Sequence, residues 1–180
     1  MKPTVLFMAF VISFQLSKAQ QYDPPVGTNV YNTDLNKFIG QWRYTTTTDT
    51  ITFILKKEHV TLQNSGGMDF IIGYHLYKKG NDTIISSIQY QSLGVSSGYS
   101  TITGLETFGS GSKKLRIILS DVLKNKTEKI ELALLDSANT QMQFTRLNIA
   151  GGVRLTNAPI LSGFTLPDSF VLTKIPMQVE

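Results

Sequence analysis

The chain has 180 residues, 17 Lys and Arg against 13 Asp and Glu, and no cysteine; that length suits one domain with one core. The lack of cysteine excludes disulfides, a cysteine-ligated zinc site and the cysteine-linked lipid anchor of bacterial lipoproteins. The formal charge of +4 comes from scattered lysines near expected turns, such as Lys56-Lys57 and Lys78-Lys79, which reads as solvated strand ends rather than a nucleic-acid surface.

A basic start, Met1-Lys2, precedes an apolar run from Val5 to Phe14 and a small-x-small site at Ser17-Lys18-Ala19. This is the pattern of a secretory signal peptide over residues 1–19, cleaved near Ala19. The run is too short to span a bilayer as a helix, which takes about 20 apolar residues. Cleavage leaves 161 residues (180 − 19) and lowers the charge to +2, because Lys2 and Lys18 depart. An exported chain of this size without disulfides points to a bacterial export system, with the protein periplasmic or extracellular. Neither a membrane span nor a lipid anchor is expected.

Residues 20–33 are rich in Pro, Gly, Asn and Gln and read as an irregular arm; residues 34–180 read as a single domain. Asp34 to Ile39 suggests one helical turn. Period two then dominates. Trp42, Tyr44, Thr46 and Thr48 share a face, as do Ile51, Phe53 and Leu55. Val60 and Leu62 suggest a separate short strand. Phe70, Ile72, Tyr74 and Leu76 alternate with Ile71, His75 and Tyr77, so this strand is apolar on both faces. Lys78-Lys-Gly-Asn-Asp82 signals a hairpin returning through Thr83 to Tyr90. A Gly/Ser-rich loop, 92–100, leads to strands near 101–105, 115–119, 130–134 and 142–146. Residues 148–167 form a long connection before a final strand, 169–175. No segment longer than about ten residues keeps a helical period. The expected fold is all-β: an antiparallel meander barrel with a long C-terminal connection and a final strand.

The chemical motifs are thin. Gly94-Val-Ser-Ser-Gly98 matches G-x-S-x-G with Ser96 in the nucleophile place, but that chemistry needs a strand-to-helix elbow and strand-like residues follow. His59 and His75 sit on separate strands, without metal-ligand spacing. Glu128 and Glu131 face opposite sides of a strand and make a poor acid/base pair. No catalytic set, metal or cofactor is expected. Asn81-Asp-Thr83 and Asn125-Lys-Thr127 match glycosylation sequons within turns.

Lys37-Phe-Ile-Gly-Gln-Trp-Arg43 resembles the opening of the first strand in calycins, the lipocalin and fatty-acid-binding barrels, through Phe38, Gly40 and Trp42. The resemblance implies that Trp42 closes one barrel end and that an Arg or Lys from the last barrel strand packs across it. Arg146, two residues after Phe144, has inward parity and is the expected partner; an inward charge needs such compensation. Most of the chain also resembles small, uncharacterised secreted proteins of Bacteroidetes-type bacteria, through Phe-Ile-Gly-x-Trp, Thr-Ile-Thr-Phe-Ile-Leu-Lys-Lys and Ile-Ile-Gly-Tyr-His-x-Tyr. That resemblance implies an extracytoplasmic lipocalin-like protein with no assigned activity.

Two readings of function follow. In one, the barrel encloses a small amphiphilic molecule against a wall of Tyr44, Thr46, Thr48 and Tyr74. In the other, the barrel is filled by its own side chains and serves as a non-enzymatic envelope or interaction protein. The oligomeric state is open.

Overall fold

A computed structural model describes residues 27–62, 66–107, 111–147 and 153–176. The expected signal peptide, the arm residues before 27 and the start of the long connection lie outside them. The described residues hold nine strands: β1 (Gly40–Thr45), β2 (Asp49–Leu62), β3 (Gly66–Lys79), β4 (Asp82–Ser86), β5 (Ile102–Thr107), β6 (Lys114–Asp121), β7 (Lys126–Leu134), β8 (Gln141–Arg146) and β9 (Ser169–Ile175). All neighbours pair antiparallel. The order β2-β1-β9-β8-β7-β6-β5-β3, with β2 also paired to β3, closes an eight-stranded barrel, and β4 is an extra strand on β3. The final strand is therefore a stave of the barrel rather than an addition to it.

Two strands differ from expectation. Val60 and Leu62 belong to β2, which runs unbroken for 14 residues against β3. The strand expected over Thr83 to Tyr90 ends at Ser86 and gives way to a 3₁₀ turn, Ile88–Tyr90. The cause is local. The Ser87 hydroxyl, rather than a backbone carbonyl, accepts the His75 amide at 2.9 Å, so the chain peels away from β3.

One end of the barrel is floored by a 3₁₀ turn, Thr33–Phe38, which inserts Leu35 and Phe38, both fully buried. The Asn32 side chain caps this turn by accepting the Asp34 amide at 3.0 Å. The Trp42 indole donates to the Phe38 carbonyl at 2.8 Å. The cation across the indole is Lys174 of β9, 5.1 Å from the ring centre. This corrects the expected Trp42–Arg146 pair. Trp42 lies opposite Lys174 in the β1–β9 register, whereas Arg146 is four residues beyond Met142, about 13 Å along β8 towards the other end. The inward parity of Arg146 was legible; that β9 supplies the last barrel strand was not. Gly40 permits the approach of Lys174: its φ is 131°, and a Cβ there would meet Lys174 Cε at 2.8 Å.

Above the floor, the interior is packed with rings. Phe144 stacks on Phe170 at 4.3 Å, and Phe53 meets both edge-on at 5.8 and 6.3 Å. Gly73 lets β3 pass close by: a Cβ there would meet Leu55 Cδ2 at 2.7 Å. At the opposite end, Leu166 from the long connection is buried in the same core and Phe164 packs against it. Asp121 pins this cover by accepting the Thr165 amide and hydroxyl, each at 2.7 Å.

The two-sided apolarity of β3 has a separate explanation. Ile71 and His75 face inward, while Ile72 and Tyr74 face outward and are nonetheless fully buried, Tyr74 beneath the 87–100 connection. That connection is tied down by the Tyr74 hydroxyl, which donates to the Leu93 carbonyl at 2.5 Å, and by Glu58, which accepts the Val95 amide at 2.8 Å.

Trp42 is the chain's only tryptophan, so its emission reports on the floor. Lys174→Met is expected to shift that emission and to lower stability in urea unfolding by about 0.5–2 kcal/mol. Arg146→Met is expected to leave the emission unchanged. The reverse pattern would contradict the Lys174 assignment.

Candidate functional site

The residues expected to form one ligand wall are dispersed. Tyr44 faces inward, half-buried, with its ring 5.0 Å from Phe170. Thr46 and Thr48 are exposed in the β1–β2 turn, where the Thr46 hydroxyl accepts the Asp49 amide at 2.9 Å and the Thr48 hydroxyl donates to the Asp49 carboxylate at 2.7 Å. Tyr74 is on the outer face of β3. The period-two face that begins at Trp42 ends at Thr45, because Asp49 and the two hydroxyls fold the next residues into a turn.

Gly40 and Trp42 form the floor, and Arg146 stands at the far mouth. Its guanidinium lies 5.5 Å from the Phe164 ring centre, its Nε 2.8 Å from Asp168 Oδ1 and its Nη1 3.9 Å from Glu128 Oε1. Ser96 is exposed within a 3₁₀ turn, Val95–Ser97, not at a strand-to-helix elbow. His59 holds Asp69 at 2.9 Å and stacks on Tyr31, joining the N-terminal arm to the β2–β3 hairpin. Asn81 is exposed at a hairpin turn. The Asn125 amide is buried and engaged.

The structure instead assembles a groove on the outer rim, built around the β6–β7 connection. Asp121 accepts the Lys124 amide at 3.1 Å, which tightens Val122–Lys124 into a 3₁₀ turn, and Asn125 closes it in the left-handed conformation at φ 56°. The tight turn leaves Val122 57% and Leu123 47% exposed. Two depressions flank this ridge and share Val122, Leu123 and Leu155.

The first, of about 350 Å³, is bounded by the 155–161 stretch through Leu155, Ala158, Pro159 and Leu161. Asn125 holds that stretch in place. Its amide donates to the Ala158 carbonyl at 2.5 Å and the Thr156 carbonyl at 3.3 Å, and its oxygen accepts the Thr156 amide at 2.8 Å. The second, of about 430 Å³, is walled by Tyr90 and Tyr99, whose rings stack at 4.3 Å, and by Ser86, Ser100 and Ser120. Ser87 and Thr101, both buried, form its floor. Thr101 Oγ1 is 2.9 Å from Ser87 Oγ and 2.7 Å from His75 Nδ1. Burial pulls the His75 pKa down to about 4, against the opposing pull of Asp121, so the imidazole is neutral at neutral pH.

Both volumes fall within the range of small-molecule sites. No described residue lining either depression is charged. The arrangement can shelter apolar surface beside hydroxyl groups; among the described residues no group of three His, Asp or Glu could hold a metal ion. The sequence carried one signal for the ridge: two adjacent aliphatic residues, Val122-Leu123, inside a turn. The depressions themselves are assembled from separate segments, 122–125 with 155–161 in one and 85–90, 98–101, 120–123 and Leu155 in the other, and have no local signature.

Asn125→Gly keeps the left-handed backbone but removes the side-chain clasp. It is expected to cost about 1–3 kcal/mol and to speed amide exchange over 154–161 while the barrel strands stay protected. His75 has its own test. The unfolded chain, titrating near 6.5, binds more protons than the folded one between pH 6.5 and about 4. Stability is thus complete above pH 6.5 and declines as the pH falls through that window, by at most about 1.4 kcal/mol per pH unit. A ring titration followed by NMR with its midpoint near 6.5 would refute this.

Among the described residues, no helix is long and apolar enough to cross a membrane. No curated protein and no solved structure matches the chain. One family does, over residues 1–175: the chain belongs to a family of unknown function, DUF6705.

Proposed function

We propose that the protein is an exported, non-catalytic binding protein that holds a small amphiphilic molecule in the rim groove rather than inside the barrel. The observation that carries this reading is the pair of depressions sharing the Val122–Leu123 ridge, one lined mainly by aliphatic residues and the other by hydroxyls and two stacked tyrosines. Small-molecule sites combine these ingredients: apolar surface with a few placed polar groups. The packed rings of Phe53, Phe144 and Phe170 argue against the interior as the site. Exposed aliphatic side chains cost solubility unless something uses them, and Val122, Leu123, Leu155, Ile160 and Leu161 lie within two short stretches of the chain. The apolar run at Val5 to Phe14 and the Ser17-Lys18-Ala19 site support export.

Native mass spectrometry of the protein purified from its own host tests the reading. A co-purifying small molecule is expected, and Leu123→Asp, an exposed substitution that leaves the core untouched, is expected to lose it. An adduct retained by Leu123→Asp would place the ligand elsewhere, and its absence from the unaltered protein would remove the main support.

A further inference from the structure

We propose that the ligand is a neutral amphiphile with a hydroxylated ring as its head, its head in the tyrosine-lined basin and its tail laid over the Val122–Leu123 ridge into the aliphatic basin. This rests on the reading of the rim groove as the binding site and adds the chemical class.

Three observations converge on it. The first is charge. Among the described residues, neither basin is lined by a charged side chain, although Lys124 and Arg154 lie next in sequence to lining residues. A charged head lowered into such a basin gives up hydration without gaining a counter-ion, which is costly. A neutral head gives up only hydrogen bonds that the basin can replace.

The second is the polar inventory. Ser86, Gln89, Ser100 and Ser120 offer hydroxyl and amide groups that both donate and accept. Among the described residues, the Ser100 and Ser120 side chains make no hydrogen bond, while Ser86 is bonded only to neighbouring Gln89. Closely spaced groups of mixed polarity match adjacent hydroxyls on a ring, each of which also donates and accepts. The floor hydroxyls of Ser87 and Thr101 are already bonded to each other and to His75, so they shape the basin.

The third is the aromatic wall. Tyr90 backs Tyr99 at 4.3 Å with an interplanar angle of 17°, and Tyr99 remains 51% exposed. One Tyr99 face is thus covered by its partner while about half of the residue stays accessible. A stacked, accessible aromatic ring packs against the C–H face of a saturated ring at small entropic cost. On the far side of the ridge, Leu155, Ala158, Pro159 and Leu161 offer a tail an aliphatic bed that Asn125 fixes in place.

The test is a ¹H–¹⁵N NMR titration with three probes of equal chain length, each below its micelle concentration: n-octyl-β-D-glucoside, octyl sulfate and octyltrimethylammonium. Octyl glucoside is expected to shift the amides of 98–101, 120–123 and 155–161 and to bind at least tenfold more tightly than either charged probe. Tyr99→Ala is expected to weaken it about fivefold without altering the rest of the spectrum. Equal affinity for all three probes, or preference for a charged one, would overturn the neutral-ring class and leave the groove as an amphiphile site. If none of the three shifts these amides, the groove reading itself falls.

Discussion

Lys174 lies over Trp42 at the seam where β9, the closing strand, meets β1. β9 joins β1 to β8, and without it both would present bare hydrogen-bonding edges. Trp42 meets both partners: Lys174 lies opposite it in the β1–β9 register, and its indole N–H donates to the Phe38 carbonyl four residues earlier, so one side chain touches the closing strand and the floor. Burying an indole with its N–H satisfied avoids the penalty of an unpaired donor. Keeping the ammonium over the ring face gives Lys174 a partner on a strand whose alternate residues are inward and apolar.

Closure of eight strands leaves an interior about wide enough for side chains. Here Phe53, Phe144 and Phe170 occupy its middle, with Leu35 and Phe38 at one end and Leu166 at the other. A barrel filled in this way is a rigid scaffold, and loops on a rigid scaffold are where binding surfaces usually arise. The long connection serves both purposes. Its C-terminal part, Phe164 to Leu166, seals the mouth under the grip of Asp121, and its 155–161 stretch, held by Asn125, builds the outer groove. Asp121 and Asn125 bracket one 3₁₀ turn, so the same short segment fastens the cover, raises the ridge and separates the two basins.

Much of the architecture was legible because alternation is a local property. Leu115, Ile117 and Leu119, then Ile130, Leu132 and Leu134, declare their inward face within a few residues. The chain peeled off early at Ser87, where a hydroxyl took the place of a backbone acceptor, a substitution that no hydrophobic period records. Tyr74 was misplaced for a related reason. Apolar residues on both faces of β3 announce that both are covered, but not that the outer cover is the chain's own 87–100 connection.

The sequence by itself determined an all-β meander, an inward Trp42 near its start, an apolar run from Val5 to Phe14 and the absence of cysteine, because each is written in composition or in short spacings. Only the tertiary structure decided which strand closes the barrel, which cation faces the tryptophan, and that the exposed chemistry lies outside rather than within. Those depend on pairing between residues more than 100 positions apart, and on how completely the rings fill the interior. Neither parity nor composition carries that information, because two strands with the same alternation remain interchangeable until register and packing distinguish them.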